Sequence, residues 1–151
     1  MTAVADLTDA AYASIENEMT TTGVLLDFRK AFDSIDHDII CKKFKFLGFS
    51  ELTIRWFKSY LTDRMQRIKV NNMFSSYEKI KRGVPQGSIL GPTIFLLFIN
   101  DLSNILEGTE VSSYADDTLI YCSGKNTQDQ EGILNRNLKR VFQWCLSLIH
   151  I

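Results

Sequence analysis

Proline, cysteine and long apolar runs are scarce in this sequence, and each scarcity excludes a class of protein. The 151 residues include two prolines and three cysteines. Cys41, Cys122 and Cys145 are odd in number and widely spaced, so they predict buried free thiols in a reducing compartment rather than a disulfide framework or a zinc site. The longest apolar run, residues 94–99, is far shorter than the roughly 20 residues that span a bilayer, and the first residues do not resemble a signal peptide. We therefore expect a soluble, intracellular chain with no membrane partner, in the nucleus or the cytoplasm.

Positive charge is scarce outside the middle of the chain. Residues 29–82 contain 13 Lys and Arg against 6 Asp and Glu, whereas the remaining residues contain 4 against 12. The central segment could neutralise phosphates, and the acidic remainder could bind cations. Two ordinary solvated faces would explain the same distribution, so the charge pattern alone leaves both interpretations open.

Hydrophobic periodicity predicts a helix, a strand and two further helices in the first half. Residues 2–18 have helical spacing, and the next segment is a strand with Val24, Leu26 and Phe28 on one face and Asp27 on the other. Helices are then predicted over residues 36–47 and, after Ser50 as N-cap, over residues 51–61.

The second half is predicted to contain two hairpins and two helices. Asn71 and Asn72 lie near the turn of the first hairpin, and a helix begins at about Pro92. The stretch SSYADDTLIY, residues 112–121, predicts a strand, a tight turn and a strand, and a long helix follows from about Gln128 with Thr127 and Gln130 as a capping box. Because the strands occur mostly as hairpins, we expect the α+β class, with an antiparallel sheet packed on helices.

Two adjacent acids, Asp116 and Asp117, interrupt this second hairpin. We expect the turn to span residues 115–118, with Tyr114 among the side chains that bury its arms. Two carboxylates about 4 Å apart repel by roughly 4 kcal/mol at an effective dielectric constant of about 20. Protonation, a basic residue or a divalent cation could remove this repulsion, and Asp27 is the third acid that a cation site would need. Three acids at solvated strand ends remain the alternative.

Three motifs in this order resemble the palm motifs of reverse transcriptases, specifically those of LINE-type (non-long-terminal-repeat) retrotransposons. The motifs are LLDFRKAFDSIDHDII, GVPQGSILGPTIFLLFINDL and YADDTLIY, and the linker WFKSYLTDRMQRIKV is also similar to that family. The resemblance covers roughly residues 2–146. It implies an RNA-directed DNA polymerase that uses two Mg²⁺ ions, or Mn²⁺, to transfer deoxynucleotides to a primer 3′-hydroxyl.

The resemblance also implies roles for individual residues. Asp27, Asp116 and Asp117 would be the catalytic metal ligands, helped by the carbonyl of Phe28, with Asp117 the less certain of the three. Phe32 would lie under the sugar and exclude a 2′-hydroxyl. A loop that supports the templating base and the incoming nucleotide would contain Gly83, Pro85, Gln86 and Gly87.

The implied organisation is one palm domain over residues 1–151. Residues 1–22 would be a residual helix from the fingers side, residues 23–146 would carry the palm motifs, and residues 147–151 would be an atypical tail. We expect the fingers to be mostly absent and the thumb to be absent. The partners would be an RNA template, a DNA primer and deoxynucleoside triphosphates. The alternative is a truncated, inactive remnant that at most binds nucleic acid or self-associates.

Overall fold

A computed structural model of the chain describes residues 3–114 and 116–149. These residues form two compact units, one made of the chain up to Arg29 together with the chain from Ile99 onward, and one made of Lys30–Phe98. A 3₁₀ helix, Asn100–Ile105, follows the fifth α-helix. The elements in chain order are α1 (Ala3–Glu16), β1 (Thr20–Asp27), α2 (Ala31–Ser34), α3 (His37–Phe46), α4 (Glu51–Leu61), β2 (Met65–Gln66), β3 (Lys69–Val70), β4 (Met73–Phe74), β5 (Glu78–Lys79), α5 (Leu90–Ile99), β6 (Glu110–Tyr114), β7 (Asp117–Gly124) and α6 (Thr127–Ile149).

The first unit is built on a three-stranded antiparallel sheet in the order β1-β7-β6. Helices α1 and α6 contact its strands. The outer strand β1 alternates as predicted, because Val24 and Leu26 are half-buried while Leu25 and Asp27 are exposed. The central strand β7 is more completely covered, and Ile120 is fully buried. This mixture of helices and antiparallel strands confirms the α+β class.

The hairpin of β6 and β7 differs from the prediction at its turn. Asp117 and Thr118 belong to strand β7 rather than to the turn, and Thr118 is fully buried. The Thr118 hydroxyl lies 3.2 Å from the hydroxyl of Ser113 on β6, which gives this polar side chain a partner inside the sheet. Tyr114 is 75% exposed, so the expectation that it buries the hairpin was wrong. Ala115, which was also expected in the turn, lies outside the described residues.

The start of α6 also differs from the prediction, because Gln130 does not take part in a capping box. The side chain of Asn126 caps the helix by accepting a hydrogen bond from the Gln128 amide at 3.0 Å. Gln130 is 2% exposed and instead donates to the carbonyls of Thr20 at 2.7 Å and Gly124 at 3.0 Å. Its side-chain oxygen accepts from the Thr22 hydroxyl at 2.6 Å. Gln130 therefore ties α6 to the ends of two strands.

Replacing Gln130 by methionine should destabilise the protein by about 2–3 kcal/mol, because the carbonyls of Thr20 and Gly124 lose the donor that the buried Gln130 side chain supplies at a partly buried site. Chemical denaturation followed by circular dichroism would measure this change. The same substitution at the exposed Gln128 is the control and should change stability by less than about 0.5 kcal/mol. Equal effects at the two positions would contradict the role of the Gln130 hydrogen bonds.

The second unit contains the predicted helices α3 and α4 with their predicted starts. Asp36 caps α3 by accepting from the Asp38 and Ile39 amides, and Ser50 caps α4 by accepting from the Thr53 amide at 3.2 Å. Aromatic side chains fill the space between the two helices, with the Phe44 ring centroid 4.6 Å from that of Phe57. Gly48 follows α3 with φ +82°, the left-handed conformation expected after a helix end.

The hairpin of the second unit is also confirmed. Asn71 and Asn72 have φ values of 46° and 65°, and positive φ at both central residues is characteristic of a two-residue type I′ turn. Helix α5 begins at Leu90, two residues before the start expected at about Pro92. The helix therefore includes Gly91, and Pro92 lies in its first turn.

The three cysteines are free, as predicted, but only Cys122 is buried, whereas Cys41 and Cys145 are half-buried. Burial raises the pKa of each thiol, which lowers the fraction of reactive thiolate at neutral pH. Among the helices that the structure describes, none is long and apolar enough to cross a bilayer.

Candidate functional site

Two acids far apart in the sequence face each other at the end of the sheet. The antiparallel register of β1 and β7 places Asp27 directly opposite Asp117. Residues directly opposite on neighbouring strands project their side chains to the same face, with Cβ atoms about 4.5–5.5 Å apart. Both acids are exposed. The end of the sheet therefore presents a pair of carboxylates to solvent.

Asp116, which was expected to be the second metal ligand, lies in the turn immediately before β7 and is half-buried. The strand register instead pairs Asp117 with Asp27. Asp117, whose role as a metal ligand was the less certain, is therefore the acid that lies directly opposite Asp27. Within residues 3–114 and 116–149, no group of three or more His, Cys, Asp or Glu side chains is arranged to hold a metal ion. The structure thus brings together two of the three predicted ligands.

This pair fits a hard divalent cation in its donor chemistry. Carboxylate oxygens are the ligands that Mg²⁺ prefers in proteins, and Mg²⁺ commonly binds one or two protein carboxylates and fills its other positions with water and substrate phosphates. Two like charges on opposed strand positions also destabilise a sheet unless something neutralises them. A bound cation would remove that repulsion.

Phe28 directly follows the Asp27 position. Its side chain is half-buried, and its ring meets the indole of Trp144 on α6 in an edge arrangement with centroids 6.3 Å apart. This contact holds the backbone that follows the carboxylate pair. The expected role of the Phe28 carbonyl as a metal ligand stays a prediction.

In the second unit, the loop that carries Gly83, Pro85, Gln86 and Gly87 lies against the segment that carries Phe32. The Val84 amide donates to the Phe32 carbonyl at 2.9 Å, and the Gly83 amide donates to the Ile35 carbonyl at 2.7 Å. The Phe32 side chain is half-buried, and its ring centroid lies 5.1 Å from that of Phe95 on α5. The structure therefore brings this group of predicted substrate-binding residues together.

Gly83 is the tightest point of this contact. It is buried and has φ +83°, and a Cβ atom there would lie 2.8 Å from the Asp33 Cα and 2.9 Å from the Phe32 carbonyl oxygen. Only glycine allows the two backbone segments to approach so closely. Gly87, at the other end of the loop, is exposed with φ +74° and has open space where a Cβ would be.

Two side chains that sequence analysis did not identify hold the carbonyl of Gly83. Nε2 of the buried His37 lies 2.9 Å from this oxygen, and because a carbonyl only accepts, Nε2 carries the proton. An Arg64 guanidinium nitrogen donates to the same oxygen. Partial burial lowers the pKa of Arg64, which still stays protonated because its ordinary value lies far above 7. The one available signal was a histidine at the start of α3, just before the apolar residues Ile39 and Ile40.

The exposed side of the loop forms one wall of a basic cleft. Gln86 is exposed and donates to the Asp33 carboxylate at 3.0 Å, while Pro85 is half-buried. The cleft has a volume of about 850 Å³, and both residues line it. Among the described residues that line the cleft, the basic ones are Arg64, Lys79, Lys81 and Arg82, and the acidic one is Asp33.

Comparison with known proteins gives a consistent result. The family described as reverse transcriptase (RNA-dependent DNA polymerase) matches residues 3–148. The RNA-directed DNA polymerase from mobile element jockey of Drosophila melanogaster is 33% identical over 141 residues, which cover 89% of this chain and 15% of that protein. The probable RNA-directed DNA polymerase from transposon BS of the same species is 32% identical over 147 residues, 92% of this chain and 16% of the relative.

A third relative is similar over a shorter region. The retrovirus-related Pol polyprotein from type-1 retrotransposable element R2 of Popillia japonica is 32% identical over 118 residues, 70% of this chain and 17% of the relative. The chain therefore spans about a sixth of the length of these curated relatives. The expected resemblance to the polymerases of non-long-terminal-repeat retrotransposons is confirmed.

Proposed function

The chain belongs to the reverse transcriptase (RNA-dependent DNA polymerase) family, and we propose that it is a polymerase palm that copies an RNA template by adding deoxynucleotides to a primer 3′-hydroxyl. The family match over residues 3–148 supports this function most directly. The pairing of Asp27 with Asp117 on neighbouring strands is consistent with it, because nucleotidyl transfer requires carboxylates that bind metal ions. The palm motifs would lie within residues 23–146 of a single domain.

The proposed metal ligands are Asp27, Asp116 and Asp117, with the carbonyl of Phe28. When bound, two Mg²⁺ ions, or Mn²⁺, would neutralise charge on the reacting phosphate. Asp27 and Asp117 supply exposed carboxylates on one face of the sheet, so metal ions and phosphates can reach them. Asp116 is the proposed third ligand, next to the pair in sequence.

The proposed substrate-binding residues lie in the second unit. Phe32 would exclude a 2′-hydroxyl, and its contact with Phe95 would hold the ring in place while one part of its surface stays accessible. Pro85, Gln86 and Gly87 would support the templating base and the incoming nucleotide. The hydrogen bonds from His37 and Arg64 to Gly83 would fix the base of this loop.

Primer extension on an RNA template would test the proposed activity. The chain should incorporate deoxynucleotides in the presence of Mg²⁺ and should stop when a chelator is added, because the carboxylates would then bind no cation. Asp116→Ala, purified in the same way, measures the background from contaminating polymerases. Incorporation that is equal in the two preparations would refute the proposed activity.

A second candidate function is nucleic-acid binding without catalysis. One observation favours it: within the described parts of the chain, the three predicted ligands do not form a metal-binding group. A chain of this kind would bind the primed template and would incorporate no more nucleotide than Asp116→Ala. The primer-extension experiment therefore distinguishes the two functions.

A further inference from the structure

The segment 64–82, here called the basic hairpin, concentrates positive charge. It contains six Lys and Arg residues and one acid, Glu78. Strand β2 pairs with β5 at its base and β3 pairs with β4 near its tip, and all the residues of these four strands are exposed. The hairpin therefore offers both its charges and its apolar side chains to solvent.

Aromatic rings and a guanidinium group lie side by side on the basic hairpin. Phe74 and Tyr77 are 52% and 56% exposed. The Arg67 guanidinium carbon lies 3.8 Å from the centroid of the Phe74 ring and 4.8 Å from that of Tyr77. Planar aromatic groups among basic residues are the features with which proteins bind single-stranded nucleic acid, since bases stack on the rings while the cations contact phosphates.

The basic cleft connects the base of this hairpin with the loop at Pro85 and Gln86. Arg64 and Lys79 belong to the hairpin, and both line the same cleft as Gln86. Lys79 lies 2.7 Å from the Asp63 carboxylate, but both side chains are well exposed, so a phosphate could replace this partner at little cost. Positively charged groups thus extend from the loop to the aromatic part of the hairpin.

We propose that the cleft and the basic hairpin bind an unpaired nucleic-acid strand, namely the template that has not yet been copied. This inference rests on the proposed function, which puts the templating base at the Pro85–Gly87 loop. A single strand is favoured over a duplex because stacking on Phe74 and Tyr77 requires accessible base faces, which a duplex covers. The excess of cations over acids selects a polyanion rather than a neutral or basic partner.

Binding measured without catalysis tests the inference. The full chain is titrated, in chelator and without nucleotides, into two fluorescently labelled primed RNA templates. One template ends at the primer terminus, and the other continues for about eight unpaired nucleotides, which is within the length that a single-strand site occupies. The extended template should bind about tenfold or more tightly than the blunt one, and Phe74→Ala should remove most of that gain.

Substitution of Arg67 separates charge from stacking. Arg67→Ala should reduce the gain in affinity that the unpaired extension gives. It should also reduce the magnitude of the slope of log affinity against log salt by about 1. Arg67→Lys should restore the salt slope, because it restores the charge. Phe74→Leu keeps an apolar side chain for folding and should still weaken binding of the extension about fivefold or more, because it lacks a ring.

Matched controls lie elsewhere in the same unit. Phe46→Ala removes an aromatic ring that is 87% exposed, and Lys42→Ala removes an exposed cation from α3. Neither should change the difference between the two templates. The proposal would be overturned if the unmodified chain bound the blunt and extended templates with equal affinity. It would also be overturned if the hairpin variants kept the full gain in affinity from the extension, or if the control variants lost as much of that gain as the hairpin variants.

This result is separable from the test of polymerase activity. An inactive chain whose hairpin variants lose affinity for the extension would support the binding inference and refute the proposed catalysis. An active chain whose hairpin variants bind both templates like the unmodified protein would refute only the binding inference. Free oligonucleotides of RNA and DNA, added as competitors, show which type of strand the surface prefers.

Discussion

Replacement of Gly83 by alanine is expected to lower the free energy of unfolding by about 4 kcal/mol or more, an effect at the upper end for one substitution. The added Cβ would lie 2.8 Å from the Asp33 Cα and 2.9 Å from two carbonyl oxygens, those of Asp33 and Phe32. All three are backbone atoms, so no flexible side chain can move aside. The φ of +83° adds the strain of a left-handed conformation for alanine.

Gly87→Ala is the matched control for this prediction. Gly87 also has a positive φ, of +74°, but apart from Gly87 itself and its two chain neighbours, no atom of the described residues lies within 4 Å of the position of its Cβ. This variant should therefore lose only the conformational term, about 1–2 kcal/mol. Urea unfolding of both variants measures the difference. If Gly87→Ala were as destabilising as Gly83→Ala, the close backbone contact would not be the cause.

The comparison also has a functional consequence. The contact at Gly83 joins the loop of predicted substrate-binding residues to the segment of Phe32 through backbone hydrogen bonds. A larger residue at position 83 would separate these segments even where the remainder of the protein stayed folded. Under conditions that keep both variants folded, Gly83→Ala should therefore lose more nucleotide incorporation, relative to the unmodified chain, than Gly87→Ala loses.

Asp27→Asn is expected to reduce primer extension by at least about 1,000-fold, because Asp27 is a proposed ligand of a metal ion, and a metal ion at a reacting phosphate is worth several kcal/mol. The same substitution should leave the metal-free protein as stable as before or more stable by up to about 1 kcal/mol. The reason is that Asp27 and Asp117 lie opposite each other as like charges, and removing either charge removes their repulsion. Asp117→Asn should show the same gain in stability.

Thermal unfolding in chelator and in Mg²⁺ separates these effects. Mg²⁺ should stabilise the unmodified chain and should stabilise Asp27→Asn less, since a ligand raises stability only through the state that binds it. Asp9→Asn, an exposed acid within α1, is the control for loss of one negative charge and should respond to Mg²⁺ like the unmodified chain. A marked loss of stability in Asp27→Asn without metal would contradict the repulsion between the two acids.

Local sequence signals predicted most element boundaries of this protein. Ser50 caps α4 through its own hydroxyl, and the Asn71 and Asn72 turn depends on the tolerance of asparagine for positive φ. The alternation in β1 follows from its apolar residues. In each case the physical cause lies within a few residues of the feature, so the amino-acid order alone contains it.

The errors have a different origin. Local spacing predicts a capping box for Gln130 because it reflects only neighbouring residues, whereas the shortest hydrogen bonds of Gln130 join it to residues 108 and 110 positions away. The sequence predicts a turn at Asp117 because two adjacent acids are unfavourable in a strand. Pairing with both β1 and β6 extends the strand through this residue, and the backbone hydrogen bonds of two neighbours outweigh its low propensity.

The sequence by itself determined the family, the helices, the hairpins and the set of candidate residues, because motif order and local periodicity are properties of the chain. Only the tertiary structure decided that Asp117 lies opposite Asp27, that His37 and Arg64 hold the carbonyl of Gly83, and that the basic hairpin shares a cleft with Gln86. Among these contacts, Arg64 lies 19 positions from Gly83 in the sequence and His37 lies 46 positions from it. Their geometry depends on strand register and on packing between elements, which no local pattern specifies.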